Sequence, residues 1–460
     1  MSRPILYTLT SGLHGEMAPD PRQEPFIRDI EAALGESFDC RGQDFTGYGQ
    51  GGTELIYVRT GGTEGLFLEQ VAPLLKGACT PDRGSDYPAI PLEGAQGVRD
   101  KSQQTVRLLT SGESNSLAAS MEILSWLRQR GIAGEILHGS PARIACRLRS
   151  FHSPDPDVPE ADSHPEGWTR PYCFGQILRG KRYGVVGRPS DWLISSAVDY
   201  AAAKEVLGAE LIDIPIEELV AEVRREPRPE MPPIPGNPLP NREGSPENTP
   251  VSGPGADLKP LNPPRYGRKI DADDWQGALG ICRALKLLVA RYRLDGLTLR
   301  CFDLLTALHN TGCLGLAILN AKGLIATCEG DIPAMLSMAV AKERTGRASF
   351  QANLSRIEGD RLLFAHCTVP LSIVRDYCYD THFESGIGVA VHGELPEGPV
   401  TVFKLSPDCR RMYLQEARLV ANTYGDRLCR TQVVVEAPGA ADYFLRTPIG
   451  NHHIIVPGKL

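Results

Sequence analysis

Short apolar runs alternate with longer stretches at helical spacing along the first third of the chain. Residues 5–10, 55–59 and 105–110 read as strands, and 25–34, 65–75 and 116–130 as helices. Strands separated by helices of this length close most readily as parallel βαβ units, with loops gathered at the strand C-terminal ends. The pattern restarts with a strand at 183–187, a helix at 192–207 and a strand at 209–214. Gly184, Gly187 and Arg188 invite a nucleotide-loop reading, but the GxGxxG spacing is absent, so the segment reads as a tight strand-to-helix turn.

Residues 227–264 are dominated by Pro, Gly, Asn, Ser and Glu and bury too little apolar surface to offset chain entropy, which predicts a linker or surface loop. Beyond it, 271–293 is helix-like, with Asp271 or Asp273 available as a cap, and 297–302 is strand-like. Residues 361–369, 386–391, 399–405, 412–421 and 427–436 alternate or run β-branched between Gly and Pro turns. The expected architecture is α/β. Two parallel α/β units of the Rossmann or flavodoxin kind, 1–178 and 179–226, the second completed by later segments, precede a mixed α+β domain at 265–460 with an antiparallel, barrel-like part.

Length changes this picture little: 460 residues suit two or three domains. A net charge of -7 and the lack of any Lys/Arg block remove the electrostatic footprint that nucleic acid or an anionic membrane would need. No apolar run reaches about 18 residues, so neither a signal peptide nor a membrane span is predicted. Twelve cysteines are scattered singly without a CxxC pair, which fits reduced thiols in a cytoplasm better than disulfides or a zinc knuckle.

The side chains that bind metals or move protons concentrate after the linker: Glu329, Asp331, His366, His382, Glu384, His452 and His453. Cys328-Glu329-Gly330-Asp331 follows an apolar stretch and precedes a helix-like run, so both carboxylates sit on a strand-to-helix turn, a common place for ligands. Asp331 also suits helix capping, whereas Glu329 would be costly to bury without a partner. His366 lies in an apolar strand pattern and reads equally as a core histidine or a ligand. In a strand, His452 and His453 face opposite sides, so at most one points at a given site.

These residues carry a resemblance. CEGDIPAM from Cys328, SFQAN from Ser349, FAHCTVP from Phe364, THFESGIGV from Thr381 and GNHHIIVPG from Gly450 resemble, in order, the C-terminal half of the L-fucose isomerase family. More distantly they resemble the L-arabinose isomerases. GGTEGLFL from Gly61 and LLTSGESNSLAA from Leu108 resemble the N-terminal domains more loosely.

The resemblance implies a metal-dependent aldose–ketose isomerase acting on a small sugar through an enediol, with Mn²⁺, or Mg²⁺ or Co²⁺, as cofactor. It also implies a homo-oligomer, a trimer or hexamer. Glu329 maps onto the family's metal-binding proton shuttle, and its metal histidines map onto His366 and onto one of His452 and His453, of which His453 is the choice. Asp331, His382 and His452 are left for the sugar. The family's second acid falls within SFQAN, where this chain has Asn353, which ligates through its carbonyl oxygen but cannot act as a base. Glu384 or Asp331 then stands in for the missing acid. A noncatalytic sugar-binding or regulatory homologue, and an epimerase or aldolase using the same metal-stabilised enediolate, are the alternatives.

Overall fold

The computed structural model describes residues 3–12, 20–75, 105–151, 168–225, 270 and 272–460; the Pro-rich segment 227–264 lies outside them. The first unit has strands β1 (Ile5–Leu9), β2 (Asp39–Gly42), β3 (Glu54–Val58), β4 (Val106–Thr110) and β5 (Gly134–Leu137). Its helices are α1 (Pro25–Leu34), α2 (Glu64–Gln70), α3 (Ser116–Gln129) and α4 (Pro141–Ser150). The sheet is wholly parallel, in the order β2-β1-β3-β4-β5. Residues Ser116 to Leu127 of α3 are buried on every side, because this helix lies between its own sheet and the C-terminal barrel.

Strand β6 (Thr169–Pro171) leads into the second unit, which has β7 (Arg182–Val186), α5 (Tyr200–Ala202), β8 (Glu210–Ile214) and α6 (Ile216–Arg225). It continues with α7 (Ala272–Tyr292), β9 (Gly296–Leu299), α8 (Asp303–Leu308), α9 (Cys313–Ala321), β10 (Ile325–Cys328) and α10 (Ile332–Thr345). A second parallel sheet, β10-β9-β7-β8, results, so this α/β unit is completed by strands from beyond the Pro-rich segment.

Of the helix expected at 192–207, the first half, 192–199, is loop and the second half is helical. Asp199 caps α5 through the Ala201 N–H, and a π-helical turn, Ala203–Leu207, follows.

The remaining strands are β11 (Phe350–Glu358), β12 (Arg361–His366), β13 (Asp376–Asp380), β14 (Ala390–Glu394), β15 (Gly398–Leu405), β16 (Arg411–Thr423), β17 (Thr431–Glu436) and β18 (His452–Pro457), with α11 (Ala440–Arg446) before the last. Six of them, β15-β18-β11-β12-β17-β16, close into an antiparallel barrel through the β15–β16 pair. β6 extends its edge at β16, and β13–β14 form a separate hairpin. The strand expected from 386 starts only at Ala390, because Gly386 and Gly388 both take positive φ in a turn.

No helix of the described residues is long and apolar enough to cross a membrane, and the described cysteines are free thiols.

Candidate metal centre

In open parallel sheets, ligands bind outside the strand C-terminal ends, where connections diverge to either side. Here the C-terminal edges of both parallel sheets point at the same end of the barrel. The loop after β3 brings Gly61 and Gly62 and leads to Glu64 at the start of α2, and the loop after β4 brings Asn115. The loop after β7 brings Trp192, the one after β9 brings Phe302, and the one after β10 brings Glu329. With Asn353, Glu384 and Asn451 from the C-terminal part, they enclose a cavity of about 30 Å³.

Glu329 is held there by an unusual backbone. Its φ is 65°, and Gly330 follows at 69°. Left-handed φ costs a non-glycine residue about 1–2 kcal/mol, a strain that clusters at functional sites. A Cβ at Gly330 would lie 2.5 Å from the Arg188 carbonyl oxygen, so only glycine lets the turn press against that segment. The Glu329 carbonyl accepts from the Ser190 N–H and the Gly330 N–H donates to Leu299, clamping the turn between the loops of β7 and β9.

The Glu329 side chain meets two imidazoles. Oε1 lies 3.4 Å from His452 Nε2 and 3.6 Å from His366 Nε2, and one ligand atom from each of the three falls within 4.8 Å of the others. Oε2 accepts from the Trp192 indole N–H at 2.6 Å. Outer partners fix both rings: Asp331 Oδ2 lies 2.8 Å from His452 Nδ1, and Thr368 Oγ1 lies 3.0 Å from His366 Nδ1. Both Nε2 atoms are thereby aimed at Glu329, as metal-ligating histidines are oriented by outer partners. Neither has a hydrogen-bond partner, and nor does the buried Asn353 Oδ1. Polar atoms orphaned in this way are rare unless an ion or ligand meets them.

A carboxylate with two imidazoles, and an amide oxygen nearby, is a donor set that suits a divalent metal ion. The chain therefore contains a possible metal-binding triad, Glu329, His366 and His452.

Charge follows these contacts. Burial alone would raise the Glu329 pKa, but His452 and His366 hold it well below the usual carboxylate range. Burial likewise opposes a charge on His452, yet Glu329 and Asp331 raise it to about 9. Burial lowers His366 despite Glu329 beside it.

The expected ligand His453 is not at this centre. Asn353 pairs with His452 and Ala352 with His453 between β11 and β18, so the adjacent histidines face opposite sides of the strand. His453 turns toward Tyr413, Tyr443 and Phe444, with Nδ1 2.9 Å from the Asn451 carbonyl and Nε2 2.9 Å from the Tyr443 hydroxyl. Burial holds it neutral as a satisfied core histidine. The preceding turn sets this register. Gly450, at φ 70°, abuts Glu122 and Ser196, and the Asn451 N–H donates to the Glu122 carboxylate.

Asp331 is a helix cap, accepting from the Ala334 N–H at 2.6 Å, and it also orients His452; fully buried, it does not line the cavity. His382 is also absent from the lining. Its Nδ1 lies 3.0 Å from Ser385 Oγ in the turn that carries Glu384, and its ring stands edge-on to Phe302. Glu384 does reach the cavity, where Oε1 accepts from Asn115 Nδ2 at 2.8 Å. Burial and the nearby charge of Glu329 raise its pKa to about 8.

Sequence reasoning missed Glu64, Asn115 and Trp192. Glu64 is buried, with Oε2 unpartnered, and desolvation pushes its pKa well above the ordinary value. GGTEGLFL, which follows β3, and LLTSGESNSLAA, which runs from the end of β4 into α3, carried the available signal for the first two. Trp192 was hidden because 192–199, a loop, read as the first half of a helix.

No protein-family model and no curated protein matches the chain significantly.

Proposed function

We propose that this protein is a metal-dependent aldose–ketose isomerase acting on a small sugar through an enediol. The observation that supports it best is the Glu329–His366–His452 triad, whose Glu329 lines a small cavity together with Glu64, Asn115, Asn353, Glu384 and Asn451. Mn²⁺ is the ion we favour, with Mg²⁺ or Co²⁺ as substitutes. A bound divalent ion supplies Lewis-acid stabilisation of negative charge developing on the sugar oxygens.

The chain's own residues supply the rest. Glu329, kept ionised by its imidazoles, is the base that removes a proton from one sugar carbon and returns it to the neighbouring carbon. Asn353 offers an amide oxygen where the resembled family has an acid, so it orients without moving protons. Glu384, protonated up to about pH 8, provides the second acidic group from the opposite wall. Asp331 is committed to Ala334 and His452, which leaves Glu384 as the replacement acid. Trp192 and Phe302 stack edge to face at 4.8 Å and give a sugar an apolar surface to lie against. A homo-oligomer, trimer or hexamer, in the cytoplasm accompanies this reading.

Asn353 favours one other reading, a noncatalytic sugar-binding homologue that lost an acid. Incubating the protein with a panel of aldoses and Mn²⁺, and measuring ketose, separates the two. The isomerase reading expects turnover that falls about 100-fold or more in Glu329→Gln. Tight sugar binding without turnover favours the binding protein. Products of carbon–carbon cleavage alone would replace isomerisation with an aldolase reaction.

A further inference from the structure

A second cavity, of about 1080 Å³, lies along the C-terminal edge of the first sheet, between the loops of β3, β4 and β5 and the hairpin joining β11 to β12. Glu384 lines both cavities, so the two spaces adjoin at its side chain.

The charges of that space are unevenly committed. Arg59 is bound to Glu24, and Arg427 lies 3.0 Å from Glu113. Arg356 has only Glu358, 3.8 Å away and largely exposed, and Arg143 has no carboxylate at ion-pair distance among the described residues. The remaining acids of the lining are Asp29, on α1, and Glu384.

Two guanidiniums from different parts of the chain, Arg143 on α4 and Arg356 on β11, therefore face one space with little to neutralise them. Both act on His138, which is locked between Thr110 Oγ1 at 2.6 Å and the Ile357 N–H at 3.0 Å. Burial and the two arginine charges depress its pKa to about 4, so it adds no third charge. The first turn of the ten-residue α4 holds no acidic residue, and its dipole favours an anion at that end of the helix.

We propose that Arg143 and Arg356 bind the phosphate group of a phosphorylated sugar whose reacting carbons lie at Glu329. The position of the reacting carbons rests on the isomerase reading; the anion site does not. Guanidinium forks match phosphate oxygens bidentately, and a dianion compensates two facing arginines better than one carboxylate would. A sugar acid or free inorganic phosphate presents related chemistry, and the test separates these sources.

Calorimetric titration of the full chain, with and without Mn²⁺, compares an aldopentose, its 5-phosphate, the corresponding aldonate and inorganic phosphate. The phosphate ester is expected to bind at least about 10-fold more tightly than the neutral sugar. Arg143→Ala/Arg356→Ala should abolish that preference while Mn²⁺ affinity stays within about threefold, and the singly substituted, surface-positioned Arg143→Gln should reduce it in a fold that is retained. Equal affinity for sugar and sugar phosphate, or a preference that survives the double substitution, overturns the proposal. So does tighter binding of the aldonate than of the phosphate ester, or of inorganic phosphate alone. Glu329→Gln keeps phosphate binding if the anion site is right. Phosphate-dependent binding with no isomerisation would remove the isomerase reading and leave this one standing.

Discussion

The two walls of the small cavity bury carboxyl groups to a similar depth and treat them in opposite ways. On the side of the second sheet and barrel, Glu329 is ionised because two imidazoles and an indole N–H surround it. Across the cavity, desolvation pushes the Glu64 pKa well above the ordinary carboxyl value, and desolvation with the nearby Glu329 charge raises that of Glu384 to about 8. Burial alone thus does not decide whether a carboxyl is a base or an acid; its immediate partners do. One wall is organised to take a cation and a proton, the other to donate hydrogen bonds.

The largest expected effect comes from breaking the charged wall. His452→Ala removes a ligand atom and the ring that couples Glu329 to Asp331, so Mn²⁺ affinity should fall about 100-fold or more by calorimetry. His453→Ala is the control one residue away. It should leave Mn²⁺ affinity within about threefold yet destabilise the fold by roughly 2–4 kcal/mol, since it empties a core position and strands the Tyr443 hydroxyl. If the two variants exchange these phenotypes, the register of β18 is misassigned and the triad with it.

That pair of neighbours also marks how far sequence could reach. The alternation of strands and helices predicted both parallel units, and the β-branched runs after 361 predicted an antiparallel barrel-like part, because these depend on local periodicity. That Glu329 is central and that only one of the adjacent histidines faces it were also legible. Which histidine it is was not, since that depends on Gly450 seating against Glu122, 328 residues earlier in the chain. Glu64 and Asn115 reach the site only because two separate sheets converge on one end of the barrel, and no local pattern encodes that meeting. The capping role of Asp331 was readable from its place before a helix; its hold on His452 was not.

A smaller effect should separate the neutral wall from the charged one through pH. The folded-state pKa of Glu384, about 8, lies above the ordinary carboxylate value. As pH rises from about 5 to 8 the unfolded chain releases this proton while the folded chain keeps it, so the wild type loses stability; above 8 both forms are ionised and the loss levels off. Glu384→Gln removes this term. Denaturation midpoints across pH 5–9 should show the variant gaining on the wild type by on the order of 1 kcal/mol per pH unit, then running parallel above about 8. A constant gap over the whole range would mean that Glu384 is ionised like Glu329.

Glu64 gives the smallest expected change and the most discriminating one. If it is a neutral acid, Glu64→Gln keeps its volume, its acceptor and a donor, so Mn²⁺ affinity should move less than about threefold and stability less than about 1 kcal/mol. If it were instead ionised, the substitution would delete a negative charge near Glu329, inside a low-dielectric cavity, and weaken cation binding by tenfold or more. Glu64→Leu then separates charge from hydrogen bonding, because it removes the donor at similar size. A neutral Glu64 that serves a sugar hydroxyl predicts unchanged Mn²⁺ affinity in Glu64→Leu together with weaker sugar binding, whereas a purely structural Glu64 predicts a loss of stability with sugar affinity intact.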